Sequence, residues 1–173
     1  WTGEANSRTF ELSQEVLSLL GHVSVRQRME DDSRKILTEA IGLNAPVASA
    51  LSEFFEEQGA MTFQVPSLDR ILVEQIEGPL PTYIVTTCRG RAFNMALGYL
   101  FAGIAAEDNV LVHEISFDEN GFMIKLSHEV EISRIPLVFR AGDSIETLKR
   151  YLLDSQLFAK RFREVSSRSM LNP

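Results

Sequence analysis

Residues 70–127 read RILVEQIEGPLPTYIVTTCRGRAFNMALGYLFAGIAAEDNVLVHEISFDENGFMIKLS and contain two pairs of β-type segments around one long apolar helix. The first pair is predicted at Arg70 to Glu77 and at Pro81 to Cys88, because β-branched and other apolar residues cluster there between turn signals. Residues 78–80, Gly-Pro-Leu, separate the two segments as a hairpin connection does. We therefore predict a strand hairpin that leads directly into a helix.

The second half of this run predicts a helix followed by another hairpin. Apolar residues recur in the helix with helical spacing, at Phe93, Leu97, Leu100, Phe101 and Ile104. Two strands, Asn109 to Phe117 and Phe122 to Ser127, follow it, and Asn120-Gly121 between them is a turn signal. The strand-strand-helix-strand-strand order predicts an α+β fold with a mostly antiparallel sheet and helices on one face. The apolar run from Ile135 to Phe139 can add one more strand.

Further helices are predicted on both sides of this α+β run. Three amphipathic helices form an N-terminal helical layer, because apolar residues recur there every three or four positions. Asn44 is placed to cap the third of them. C-terminal helices are predicted at Ser144 to Leu153 and from Gln156 to Ser169. The chain is thus expected to consist of a helical segment, residues 1–62, and an α+β portion, residues 63–173.

The composition is that of a globular chain. With 173 residues, of which 45% are hydrophobic, it is long enough to bury a core. The longest apolar stretch, from Ala92 to Ala106, falls short of the roughly 20 residues that a membrane span needs, so no membrane partner is expected. A single cysteine, Cys88, and the lack of a signal pattern favour a cytoplasmic location. Because the chain opens at Trp1 without an initiator methionine, we expect an internal piece of a longer polypeptide.

The sequence lacks the usual signatures of a catalytic site. A phosphate-binding loop ends in Gly-Lys-Ser/Thr because the lysine neutralises the phosphates that the backbone amides cradle, and no lysine here follows a glycine. His113-Glu114 and His128-Glu129 look like fragments of a zinc motif, but neither has a second histidine one helical turn further on. A hydrolase or metal enzyme built on them is the least favoured interpretation. We predict no catalytic residue, no metal ligand and no cofactor in this chain.

A candidate nucleic-acid site must be local, because the net charge of the whole chain is −7. Arg89-Gly90-Arg91 lies between a predicted strand and a predicted helix, with Asn94 in the first helical turn. Helix N-termini present free amides and a partial positive charge, so two arginines there suit a phosphate group. The residues alone support equally an alternative in which Gly90 serves a turn, Asn94 is a local cap and the arginines pair with acids such as Glu74 or Glu77.

The last predicted helix is the second basic segment. Phe158, Phe162 and Val165 share one face, and the basic residues lie on the opposite side: Lys160, Arg161, Arg163 and Arg168. This pattern predicts a helix that packs inward and presents its cations to phosphate. A solvated charged face is the alternative, and chemistry alone favours it.

Several short motifs lie along nearly the whole chain in a specific order. They are Trp1-Thr2-Gly3-Glu4, Arg8 with Glu11-Leu12, Val65-Pro66, Asp69 to Glu74, Arg89-Gly90-Arg91 with Asn94 and Ala96-Leu97, Gly121-Phe122, and Leu157 to Pro173. With these motifs the chain resembles the DEAD/H-associated region that follows the motor and winged-helix domains of Lhr-type ATP-dependent DNA helicases. Two features depart from that family. Ala92 stands where relatives often have another basic residue, and the family region usually continues beyond Pro173.

The resemblance implies an accessory, DNA-contacting domain of a helicase that serves processes such as DNA repair. ATP and Mg²⁺ are then held by motor domains of the same polypeptide. These motor domains and the winged-helix domain are the expected partners of this chain. The expected ligand is single-stranded DNA. The resemblance implies that Trp1 stacks on a base, although an indole can equally anchor the core. The other implied DNA contacts are polar residues: Arg89, Arg91, Asn94, Arg161, Arg163 and Arg168.

The acidity of the N-terminal part supports a different interpretation. In this alternative the helical layer from Glu11 to Glu57 is a protein-interaction surface, and nucleic acid has no role.

Overall fold

The structure is a computed structural model that describes residues 8–27, 33–62, 64–131, 144–153 and 156–168. In these ranges the helices are α1 (Phe10–Gln27), α2 (Ser33–Lys35) continued by a π-helical turn (Ile36–Ala40), α3 (Ala45–Thr62), α4 (Arg91–Glu107), α5 (Ser144–Leu153) and α6 (Gln156–Arg168). The strands are β1 (Leu72–Ile76), β2 (Thr82–Thr86), β3 (Val112–Phe117) and β4 (Gly121–Leu126).

The four strands form one antiparallel sheet in the order β1-β2-β4-β3. The two hairpins therefore meet through β2 and β4, which are the inner strands. Inner strand β4 is mostly buried, whereas edge strand β3 is largely exposed. The sheet and its helices confirm the predicted α+β class and the strand-strand-helix-strand-strand order. The further strand predicted from Ile135 to Phe139 lies outside the described residues.

The chain divides into two compact units. The first comprises residues up to 74 together with 84–94 and 117–121, and the second comprises the remaining residues. Both units thus draw on distant parts of the sequence. The division into residues 1–62 and 63–173 stays a prediction, because compactness does not show which segment folds independently.

The first unit contains the N-terminal helical layer. Its apolar core consists of Leu17, Leu20, Val23, Leu37, Ala48, Phe55, Val65 and Cys88. The side chain of Asn44 accepts a hydrogen bond from the amide of Val47 at 3.1 Å, which confirms the predicted cap of α3. Cys88 lies just after β2, so the end of this strand is fixed on the helices. Burial raises the pKa of the Cys88 thiol, and the smaller effect of the nearby Arg8 charge lowers it. Cys88 is therefore a protonated packing residue.

In the second unit, the ring of Phe101 on α4 contacts two aromatic rings of the sheet. Phe101 lies 6.1 Å from the ring of Tyr83 and 6.4 Å from the ring of Phe122. The buried Tyr83 hydroxyl donates to the carbonyl of Val130 at 3.1 Å and accepts from its amide at 2.9 Å. Its polar end is therefore satisfied inside the core, as a buried tyrosine requires.

Helix α6 differs from the prediction in the face that it leaves exposed. The rings of Phe158 and Phe162 stack on each other with centroids 6.0 Å apart. Nevertheless, Phe162 is 62% exposed and Val165 is 61% exposed. The prediction that this apolar face packs inward is therefore wrong. Helical spacing identifies an apolar face, but it does not show whether another part of the protein covers that face.

Candidate nucleic-acid interface

The turn between β2 and α4 has a backbone shape that depends on Gly90. Its φ is +89°, and the preceding Cys88 also has a positive φ of 53°. A Cβ atom at position 90 would lie 3.1 Å from the carbonyl oxygen of Arg8 and 3.3 Å from the hydroxyl of Ser13. Glycine is therefore required both for the left-handed backbone and for the close approach of the N-terminal segment. This part of the structural alternative, a turn made by Gly90, is confirmed.

Asn94 is a buried positioning residue, with 0% of its surface exposed. Its side-chain oxygen accepts a hydrogen bond from the hydroxyl of Thr87. Its side-chain nitrogen donates to the carbonyl of Asp118 at 2.9 Å. The same Thr87 hydroxyl accepts from the amide of Arg89 at 3.1 Å. Asn94 thus has no exposed atom that could reach a ligand, and it contributes to the site by holding the turn in place.

Segment 117–121, which joins β3 to β4, clamps the start of α4. One carboxylate oxygen of Glu119 accepts hydrogen bonds from the amide of Arg91 at 3.2 Å and from the amide of Arg8 at 3.1 Å. The carboxylate of Asp118 accepts from the amides of the two residues after Glu119, both at 2.7 Å. The amide of Arg91, the first residue of α4, is therefore bonded to Glu119 and is not free for a ligand.

Arg89 is held in place by two neighbours in the first unit. Its Nη2 donates to the carbonyl of Leu68 at 2.5 Å. Its guanidinium carbon lies 5.5 Å from the centre of the Phe93 ring, in a cation-π contact. These contacts restrict the side chain, so less conformational entropy is lost when it binds a ligand.

Arg91 is exposed and is fixed in a similar way, since its Nη1 donates to the carbonyl of Phe117 at 2.9 Å. The alternative had paired these arginines with Glu74 or Glu77. Within the described residues, Arg89 and Arg91 instead bond to neutral carbonyls and form no ion pair. A carbonyl orients a guanidinium without cancelling its charge. Both positive charges therefore remain available to an anion.

The other predicted contacts lie elsewhere in the chain. Trp1 is outside the described residues. Arg161, Arg163 and Arg168 belong to α6 in the second unit. Arg163 is exposed, and its Nε donates to the carbonyl of Ala159 at 3.2 Å. The side chains of Arg161 and Arg168 are outside the described set. The structure thus brings together Arg89, Arg91 and Asn94, and it does not place the α6 arginines in the same unit.

Sequence reasoning missed the residues that organise this turn. Arg8 donates from Nη2 to the side chain of Asn120 at 3.2 Å, and its backbone amide bonds to Glu119. Both acceptors lie more than one hundred positions away in the sequence. Local spacing cannot reveal such pairs. The turn signal Asn120-Gly121 and the resemblance at Arg8 were the available hints.

The structure also bears on the enzyme and membrane alternatives. Among the described residues there is no group of three or more histidine, cysteine or acidic side chains that could hold a metal ion. His113 and His128 are exposed, and the ring of His128 forms a 2.9 Å hydrogen bond with the hydroxyl of Ser127. In the described part of the chain, no helix is long and apolar enough to cross a membrane.

These features define an α+β domain whose described part carries an oriented pair of arginines. The family model described as DEAD/H associated matches residues 65–173, which is more than half of the chain. The chain therefore belongs to the DEAD/H-associated family. This confirms the resemblance to the accessory region of Lhr-type helicases that the motifs indicated.

Two relatives are similar over nearly the full chain. The ATP-dependent helicase Lhr-Core protein 2 of Thermococcus barophilus is 29% identical over 175 residues, which cover 99% of this chain and 20% of the relative. The solved structure of the Mycobacterium smegmatis helicase Lhr, bound to ssDNA and AMP-PNP, is similar to this chain with a TM-score of 0.77 and 21% sequence identity. The match covers 98% of this chain and 22% of the M. smegmatis chain. The structural likeness establishes the fold. The chain spans about one fifth of the length of both relatives.

Proposed function

We propose that this chain is the part of an Lhr-type ATP-dependent helicase that binds single-stranded DNA, and that the turn at Arg89 and Arg91 contacts the phosphates. The observation that carries the proposal is that the guanidinium groups of Arg89 and Arg91, two positions apart in one turn, are oriented by neutral carbonyls and form no ion pair with an acid of the described residues. Arginine donates several parallel hydrogen bonds and suits phosphate oxygens better than other side chains do. The turn can therefore bind a strand at a low entropic cost.

The two acids beside the turn are held by backbone amides. Glu119 and Asp118 each accept two backbone hydrogen bonds, so their carboxylates are directed at the loops that they hold. Contacts to phosphate carry no sequence information, which suits a protein that moves along DNA. The helicase of M. smegmatis was solved with ssDNA bound, and this supports the same class of ligand for its relative here.

The remaining predicted residues have proposed roles that depend on the family resemblance. Trp1 stacks on a base, Asn94 positions the turn, and Arg161, Arg163 and Arg168 add phosphate contacts in the complete protein. ATP and Mg²⁺ are held by motor domains that are not part of this sequence, since the sequence has no Gly-Lys-Ser/Thr loop. Coupling of ATP hydrolysis to movement along DNA is a property that we propose for the whole helicase.

A second candidate function is protein interaction, and exposed apolar side chains on α3 favour it. Val47 and Phe54 are exposed there, and Phe54 follows Glu53 directly in the sequence. This interpretation leaves the oriented arginine pair unexplained, which is why DNA binding is preferred.

We expect the purified chain to bind a single-stranded oligonucleotide and to lack ATPase activity. Fluorescence anisotropy should show saturable binding that weakens as salt rises, because bound phosphates release their counterions. A coupled assay should show no ATP turnover with or without DNA. Binding that is absent at low salt, or ATP hydrolysis that persists through repeated purification, would contradict the proposal.

A further inference from the structure

We infer that the exposed ring of Phe93 beside Arg89, together with Leu68 on the turn that holds Arg89, offers apolar surface to one unpaired base. This inference rests on the proposed function and specifies it, since it places a base next to the arginine that holds a phosphate. Leu68 is 47% exposed and Phe93 is 36% exposed, although both are large apolar side chains. A base has an apolar face on each side, so it gains from stacking on such surfaces regardless of sequence.

Contacts of a single guanidinium group link the backbone of Leu68 to the ring of Phe93. Arg89 donates to the carbonyl of Leu68, and its guanidinium lies 5.5 Å from the centre of the Phe93 ring. An aromatic ring and a positive charge therefore meet at one place in the first unit, next to the turn that carries Leu68. Single-strand binding proteins combine the same two kinds of group, basic residues that follow the backbone and aromatic residues that stack on bases.

Leu68 is held by a rigid turn. Ser67 and Arg70 exchange two backbone hydrogen bonds of 3.1 and 3.2 Å across it. The hydroxyl of Ser67 also donates to the carboxylate of Asp69 at 2.6 Å. This hydrogen bond is the main cause that lowers the pKa of Asp69, so the carboxylate stays charged and the turn keeps its acceptor. Because the backbone at Leu68 is already ordered, little further entropy is lost when its side chain meets a base.

The arrangement selects for single-stranded DNA. In a duplex, each base is already stacked on its neighbours, so the ring of Phe93 can reach only a base that has left the helix. Phosphates are equally accessible in both forms. The arginine pair alone would therefore bind duplex and single strand with similar strength, and the apolar surface beside it adds affinity for the single strand only.

The test compares Phe93→Ala, Phe93→Leu and Phe93→Tyr in the purified chain. The matched control is Phe54→Ala, because Phe54 is also a phenylalanine of the first unit and its side chain is 42% exposed. We expect Phe93→Ala and Phe93→Leu to weaken binding of a single-stranded oligonucleotide by roughly 5- to 150-fold, the range known for loss of one stacked base. Phe93→Tyr and Phe54→Ala should bind as the unchanged protein does. Duplex affinity and the salt dependence should stay the same in every variant, because no charge is removed.

A second measurement uses an oligonucleotide that contains 2-aminopurine, whose fluorescence is quenched by stacking. The quenching should occur with the unchanged chain and with Phe93→Tyr and should be lost with Phe93→Leu, which retains apolar packing and so guards against misfolding. Unchanged affinity in Phe93→Leu, or a change in salt dependence that shows displacement of Arg89, would overturn the inference. If replacement of Arg89 and Arg91 also leaves binding unchanged, the proposed function itself fails. If replacement of the arginines weakens binding and replacement of Phe93 does not, the proposed phosphate contact is retained and the base-stacking inference is rejected.

Discussion

Replacing Arg89 and Arg91 together with alanine is expected to weaken single-strand binding on the order of 10- to 100-fold. Hydrogen bonds to charged groups contribute about 1.5 to 3 kcal/mol each when they form, and partial exposure reduces that value. Each lost phosphate contact should also lower the slope of log affinity against log salt by about 0.7 for a single strand. Two contacts therefore lower it by about 1.4. Anisotropy titrations over a range of salt concentrations measure both quantities.

The matched control is Lys149→Ala combined with Arg150→Ala, which removes the same charge from exposed positions on α5. Its affinity should fall by much less, because these cations do not belong to the arginine turn. Thermal melting of both double variants must match the unchanged chain. An equal loss in the two double variants would mean that net charge, and not this turn, determines the affinity. The arginine site would then be rejected.

Gly121→Ala is expected to be the most destabilising glycine-to-alanine substitution in the described part of the chain. A Cβ atom at this position would lie 2.1 Å from the carbonyl oxygen of Val85, far inside van der Waals contact. The neighbour is backbone of the inner strand β2, so it cannot rotate away as a side chain could. We expect a loss of about 3 kcal/mol or more in the free energy of unfolding, at or above the upper end for overpacking. In a chain of this size the melting temperature should fall by about 6 to 12 °C.

The control for this substitution is Gly78→Ala in the turn between β1 and β2. The nearest atom to its added Cβ is 3.8 Å away, an ordinary contact, so the melting temperature should change little. Because Gly121 ends the segment that holds Arg91 and Asn94, partial unfolding near Gly121 should also weaken DNA binding. A Gly121→Ala chain that melts at the same temperature as the Gly78→Ala chain would show that the two inner strands are not as close as described.

Most of the described strands and helices could be predicted from the sequence. Strands and α4 could be located because apolar spacing and turn residues such as Asn120-Gly121 depend on local sequence. The cap at Asn44 was predictable for the same reason. The exposed face of α6 was not, because the spacing of Phe158 and Phe162 indicates an apolar face and says nothing about what covers it.

The candidate site was predictable only in part. Arg89 and Arg91 could be identified from their place before a helix and from the family motifs. Their partners could not, because the carbonyls of Leu68 and Phe117 belong to distant segments and any residue type supplies a carbonyl. The burial of Asn94 was equally hidden, since an amide in a first helical turn can face either solvent or another loop. Glu119 was missed because it acts across more than one hundred positions.

The most direct test of the central proposal, that Arg89 and Arg91 contact DNA phosphate, observes their side chains during binding. Nitrogen-proton NMR spectra resolve the Nε groups of arginines, and replacement of each arginine by lysine assigns its signal. As a single-stranded oligonucleotide is added, the signals of Arg89 and Arg91 are predicted to shift together and to saturate at the affinity measured by anisotropy, while the signal of Arg150 stays in place. Saturating DNA that leaves the signals of Arg89 and Arg91 unchanged would contradict the proposal.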